Sequence, residues 1–222
     1  MSAAIADAAS GIALALRGEG SPYILSELLP PGDGLTPAAV RVLGADVLAP
    51  YALNSRTEPG SEDASVVREA LEGYPPGPGA SDVSLWSYQG LTEAACAFLP
   101  GATPQDSPSA QPSVAWVETD PWPRLAHRAS HLAALALPGV APALAEGFTR
   151  RTTDLSRGFV RAVRRRDWQQ AAGLGRWLAW LPDTPSSLGL RHGLAFIHGM
   201  SDGHARAALH IAAALRSTDD RA

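Results

Sequence analysis

Apolar residues return every three or four positions through most of this chain, and the stretches that carry this rhythm are separated by clusters of glycine and proline. Such spacing is the mark of amphipathic helices. Residues 3–17 predict a helix with Ile5, Ile12 and Leu16 on one side, ended at Gly18-Glu19-Gly20, and a short helical piece then runs from Ser21-Pro22 to Leu29. Thr36-Pro37 reads as a helix start, since the hydroxyl can cap free N–H groups and proline belongs in the first turn. Val40, Leu43 and Val47 follow at helical spacing. Ser61 is expected to cap a further helix in which Glu62 and Asp63 sit well against the helix dipole and Val67, Ala70, Leu71 and Tyr74 face inward. From Asp82, the residues Val83, Trp86, Gly90, Ala94 and Phe98 keep the period, with a strand over 83–88 as the alternative; residues 194–197 carry the same ambiguity.

Prolines at 100, 104, 108 and 112 rule out a helix over 100–113, which reads as a linker or crossover. A short extended piece is expected over Val114–Val117. Asp120 then caps a helix carrying Leu125, Ala129, Leu132 and Ala136, and Pro142 starts another with Leu144, Phe148, Leu155, Phe159 and Ala162, broken near Thr152–Asp154. Asp167 caps the next. The expected fold is therefore mainly α, a helical bundle or stacked antiparallel hairpins. It divides into an acidic helical region (1–99), the proline-rich crossover (100–113) and a basic helical region (114–222), with the halves able to close into one domain.

Composition sharpens this picture. At 222 residues and 45% hydrophobic, the chain can bury a core without disulfides. The one cysteine, Cys96, lies in the apolar run LTEAACAFL and is expected to be buried, which fits a reducing cytoplasm. No apolar run approaches a membrane span, and the N-terminus lacks the basic lead of a signal peptide. The net charge of −4 conceals an asymmetry: residues 1–120 hold 15 acids against 4 arginines, whereas residues 121–222 hold 7 acids against 14 arginines. There is no lysine, which excludes Schiff-base chemistry, a pyridoxal-phosphate anchor and the lysine of a P-loop.

Several clusters are candidates for chemistry. His127 and His131 stand four apart on a predicted helix, the spacing that puts two imidazoles on one face for a divalent metal. His192, His198, His204 and His210 recur every six residues, but six residues advance a helix by about 240 degrees, so the row scatters around its axis. If the chain turns at Gly199–Gly203, then His198, Asp202 and His204 supply N, O and N donors for a metal. Arg150, Arg151, Arg157, Arg161, Arg164, Arg165 and Arg166 form the densest charge cluster and are suited to an acidic ligand. Nucleic acid is not expected, because no aromatic platform is interleaved and the whole protein is acidic.

Two local resemblances follow from these motifs. Gly199-Met200-Ser201-Asp202-Gly203 matches G-x-S-x-G, and FIHGMSDGHARAALHIAAA resembles the nucleophile elbow of the α/β-hydrolase family, which implies Ser201 as a nucleophile. In that family the acid and histidine follow the serine after further strands and helices, whereas only 19 residues follow His204's predecessor Gly203 here. The segment DWQQAAGLGRWLAWLP resembles the second helix of a tetratricopeptide hairpin, with Gly175 at the usual aromatic position and Pro182 one residue early. Trp168, Ala171, Ala172 and Leu178 stand 36 residues before His204, Ala207, Ala208 and Ala214, so the resemblance extends over residues 155–216 and implies stacked helical pairs.

The expected function is a non-enzymatic helical interaction or accessory protein that binds another polypeptide or itself as a homodimer. Its binding residues are expected among Arg157, Arg161, Arg164, Arg165, Trp168, Trp177 and Trp180. No cofactor is expected. The alternatives are a small metal-dependent enzyme using a histidine cluster and a serine hydrolase using Ser201.

Overall fold

A computed structural model describes residues 2–102 and 112–219, and within them every regular element is helical. The helices are α1 (Ser2–Arg17), α2 (Leu25–Leu28), α3 (Thr36–Leu43), α4 (Ala49–Leu53), α5 (Asp63–Gly73), α6 (Asp82–Phe98), α7 (Ala115–Thr119), α8 (Trp122–His131), α9 (Pro142–Arg150), α10 (Thr152–Arg164), α11 (Trp168–Trp180), α12 (Leu190–Met200) and α13 (Ala205–Asp219). Residues 83–88 lie in α6 and residues 194–197 in α12, so both ambiguous stretches are helical. The crossover expected over 100–113 falls mostly outside the described residues. None of the helices is long and apolar enough to cross a membrane.

Local chemistry moves several boundaries. Val114–Val117 is not extended but leads into α7, which buries Trp116 and Val117. The Thr36 hydroxyl donates to the Pro30 carbonyl at 2.9 Å instead of capping α3. Ser61 does not cap α5 either. No side chain caps it; the buried Asp63, its first residue, instead ties that end to neighbouring segments, accepting from the backbone N–H groups of Ser26 (2.8 Å) and Gly60 (2.9 Å) and from the Tyr51 hydroxyl (2.5 Å). Cys96 is exposed, because it falls on the solvent side of α6 opposite Trp86, Leu91 and Ala94.

Buried residues from both halves of the chain form one apolar core. Helix α11 lies at its centre, packed on α10, α12, α13 and α8, while α1 packs against α13 and so ties the two ends together. The connection from Arg165 to Asp167 folds α11 back on α10, and Asp167 caps α11 by accepting from the Gln170 N–H at 3.1 Å. Trp177 is wholly buried; its Nε1 donates to the Ala129 carbonyl (3.0 Å) and its ring meets Phe148 edge-on. It is therefore a core residue and not part of a binding surface.

The centre is built on small residues. A Cβ on Gly173 would lie 2.7 Å from the Ser130 carbonyl oxygen of α8, and one on Gly158 would lie 2.5 Å from Ala126 Cβ of the same helix. At Gly175 a Cβ would lie 2.6 Å from Leu194 of α12 and 3.2 Å from Phe159 of α10, so the position that carries an aromatic residue in tetratricopeptide hairpins is here closed by neighbouring side chains. Gly173→Ala pushes α8 from α11 against rigid backbone and is expected to lower stability by about 1–3 kcal/mol. Gly199→Ala, in α12 with open space around it, is expected to stay within about 1 kcal/mol of the parent or exceed it. Urea denaturation of the two variants checks the contrast.

Candidate functional site

Gly44, with φ of +61°, ends α3 and turns the chain into a buried 3-10 segment, Gly44–Leu48. The Tyr23 hydroxyl fixes that segment by donating to the Val47 carbonyl at 2.7 Å. It carries Asp46 into the core, where the carboxylate Oδ1 accepts from Nη1 of Arg176 on α11. Asp46 and Arg176 are 0% and 1% exposed. The third member, His210 of α13, is 2% exposed, and its Nδ1 lies 3.2 Å from the same Nη1. A second Arg176 nitrogen reaches the Ala134 carbonyl at 3.5 Å.

Chemistry fixes the protonation of this cluster. A guanidinium has no acceptor, so Nδ1 of His210 accepts from Arg176 and the imidazole proton resides on Nε2. Burial lowers the His210 pKa, and although Asp46 pulls it back, Arg176 and Arg206 push it further down, to about 3. Burial on its own raises the Asp46 pKa, but the positive charges around it, Arg176 first, hold the carboxyl below its usual value. Asp46 Oδ2 stands 3.8 Å from His210 Nδ1 and has no hydrogen-bond partner among the described residues.

His210 also forms the floor of an open cleft of about 550 Å³. One wall carries His127, Ser130 and His131 of α8, and another carries Asp167 and Gln170 at the start of α11. Arg206 enters from α13; Arg41 of α3 and Ser84 and Ser87 of α6 close the remaining side. The rings of His127 and His131 stand edge to face at 4.6 Å. Partial burial lowers the His131 pKa, with His127 and Arg206 adding to the effect and Asp167 opposing it. The Arg206 Nε is buried without a partner among the described residues.

A second groove, about 760 Å³, runs beside α10. Arg157, Arg161, Arg164 and Arg165 line it above an apolar floor of Trp122, Val160 and Leu188. The Arg161 guanidinium lies over the Trp122 ring at 5.5 Å. A smaller cavity of about 270 Å³ shares Trp122, Arg161 and Arg165 with this groove and His127, Asp167 and Gln170 with the cleft. The two sites therefore adjoin along α8.

The residues singled out by sequence divide accordingly. His127 and His131 share one face as their spacing predicts, but among the described residues no group of three His, Cys, Asp or Glu side chains gathers to hold a metal. His198 and His204 are exposed, and the His204 ring lies 3.4 Å from the backbone carbonyl of Asp202 and not beside its carboxylate. Ser201 follows helix α12 and not a strand, is 4% exposed, and directs its hydroxyl at the His198 carbonyl at 3.5 Å. That geometry corrects the elbow reading, since an elbow needs a strand to present an exposed serine. Trp168 is half-buried against Phe196, and Trp180 packs at the edge of the core. Asp46, Arg176, Arg206 and His210 were not foreseen as a site. Each had a signal: a lone polar residue within an apolar run, in GADVLAP, LGRWLAW, ARAAL and ALHIAA.

Neutral His210 makes acid stability diagnostic. Its folded pKa lies below its unfolded value of 6.5, so between about pH 6.5 and 3 the unfolded chain binds the extra proton, and stability falls as pH falls through that window. The loss from this group between pH 7 and pH 5 is expected to be roughly 2 kcal/mol. His210→Gln removes that increment, so the wild-type pH slope should exceed the variant's in urea denaturation at pH 5, 6 and 7.

Comparison with protein-family models, with curated proteins and with solved structures finds no match for this chain.

Proposed function

We propose that the chain is a non-enzymatic helical binding protein whose α10 groove receives an acidic segment of another polypeptide. The observation that carries this reading is the groove's composition, a row of arginines over an apolar floor. Arg157 has a local partner in Asp154 at 3.2 Å, but among the described residues no carboxylate pairs with Arg161, Arg164 or Arg165. An extended segment with alternating acidic and apolar residues matches both surfaces at once, placing carboxylates on the guanidinium groups and apolar side chains on Trp122, Val160 and Leu188. The Trp122–Arg161 stack holds one guanidinium flat, which reduces the entropy lost when a carboxylate is gripped.

Self-association through α12 is the second reading. Phe196 and Met200 are 52% and 49% exposed on one helix, and Phe196 meets the Trp168 ring. The exposed thiol of Cys96 fits a reducing cytoplasm, where it stays free.

Fluorescence anisotropy with a labelled acidic amphipathic peptide tests the groove. Binding is expected to weaken steeply with salt, and Arg164→Glu with Arg165→Glu is expected to weaken it on the order of tenfold or more, while a basic peptide of the same length does not bind. Equal binding of both peptides, or an unaffected double variant, overturns the proposal. Analytical ultracentrifugation of the wild type and of Phe196→Glu reads the second possibility separately.

A further inference from the structure

The cleft above His210 is distinct from the α10 groove in both lining and chemistry. Its donors converge from separate elements: the Arg206 guanidinium and the His210 Nε2–H from α13, the His127 and His131 imidazoles from α8, and the Ser84 hydroxyl from α6. Arg41 stands at the rim, its Nε bound to the Tyr74 carbonyl at 3.1 Å and its Nη1 3.4 Å from the Ser87 hydroxyl. Among the described residues Asp167 is the one carboxylate in the lining, and Asp46 is committed to Arg176. Two guanidinium groups in so small a space repel a metal cation and attract an anion.

Arg206 gives the second, independent indication. Its Nε is buried without a hydrogen-bond partner among the described residues, a donor that no described protein group satisfies. It lines the cleft together with His127, His131 and His210, and its charge lowers the His131, His210 and Asp46 pKa values. An anion seated there meets a fixed cation on one side and a fixed N–H donor on the floor.

We propose that this cleft is a binding site for a phosphomonoester, with the phosphoryl oxygens held by Arg206, the Nε2–H of His210 and His131. The donors come from separate helices and not from one plane, which suits the three tetrahedrally arranged oxygens of a phosphoryl group better than a planar carboxylate. The volume of about 550 Å³ exceeds what the phosphoryl group fills, and Val42 and Val83 in the lining give the remaining space an apolar wall for an organic portion. The buried Asp46–Arg176 pair serves the site by keeping His210 in the tautomer that donates from Nε2. The groups facing His131 are His127 on its own helix, Arg206 and His210 from α13, Arg41 from α3 and Asp167 at the start of α11. A phosphate dianion among them favours the imidazolium form of His131 and so opposes the lowering that burial, His127 and Arg206 impose.

Phenyl phosphate and inorganic phosphate are the probes, titrated into the full chain by calorimetry and by NMR of the histidine ring carbons. The expected result is saturable binding, tighter for phenyl phosphate, with the His131 and His210 resonances moving together. Arg206→Gln should weaken binding by about tenfold or more, while Arg164→Glu, whose residue lines the α10 groove but neither the cleft nor the cavity beside it, changes it by less than about threefold. That second variant separates this site from the α10 groove, so either proposal can fail alone. Absence of saturable binding, unmoved His131 and His210 resonances, an Arg206→Gln protein that binds as well as the parent, or loss of binding in the α10 variant overturns the inference. Equal affinity for the two probes overturns the ester assignment. If Arg206→Gln does not fold, the wild-type histidine resonances decide.

Discussion

A carboxylate, a guanidinium and a neutral imidazole are sealed together where the two halves of the chain meet, and much of the structure depends on keeping them so. Removing water from two charges costs several kcal/mol for each ion, and their attraction repays this only when the geometry is good. Here Asp46 arrives on a 3-10 segment, Arg176 on the central helix and His210 on α13. Their contacts form only where those three elements meet. A core of alanine and leucine packs in many registers at similar energy, so the polar cluster supplies the selectivity that apolar contacts lack. Asp46 and Arg176 are 0% and 1% exposed, so losing either one leaves an uncompensated buried charge, a loss of about 3–5 kcal/mol.

The same cluster connects architecture to chemistry. Because Arg176 donates to Nδ1, the His210 proton is confined to Nε2, on the opposite edge of the ring, and the ring cannot charge near neutral pH. The cleft therefore has a donor of fixed orientation at its floor without an added charge. Close helix approach is the second requirement. Gly158 and Gly173 let α10 and α11 sit against α8 at distances a side chain would forbid, and this brings His127 and His131 to the cleft wall opposite α13. Packing at the glycines and polarity at the cluster thus act on the same set of helices.

The helices were legible because a period of three to four apolar residues is a local property, and α1, α6, α8 and α11 begin within a residue or two of where it predicts. Capping was less legible. Ser61 and Thr36 have side chains of the right type in the right place, yet neither caps its helix: the Thr36 hydroxyl goes to the Pro30 carbonyl, and beside Ser61 it is Asp63 that is engaged, with Ser26 from the far side of α3. Cys96 shows the limit of reading burial from composition, since an apolar run on a helix still has an outward side. The histidine row dispersed as helical geometry requires, leaving His192, His198 and His204 exposed and taking His210 inside. The candidate site was only half visible for the same reason: the i, i+4 spacing of His127 and His131 is local, whereas Asp46 and Arg176 are separated by 130 residues. Their one local trace is a charge where the apolar pattern has no room for it.

Charge asymmetry, finally, has a structural resolution different from simple neutralisation. Asp46–Arg176 and Asp82–Arg128 join the halves, but the arginines around α10 find acids close by in the basic half or just before it: Arg150 pairs with Glu118 and Glu146, and Arg151 and Arg157 pair with Asp154. Arg151 also holds the carbonyls of Val117, Glu118 and Asp120, which secures α7 against α10. Those acids are used at the N-terminal end of α10, so the positive charge accumulates toward its C-terminal end, beside Trp122 and next to the cleft. A field concentrated in a furrow with low-dielectric walls attracts anions more effectively than the same charge spread over a surface. The protein is acidic as a whole, yet its adjoining concavities along α8 are both lined by arginine, and this is the physical reason to look for anionic partners at each of them.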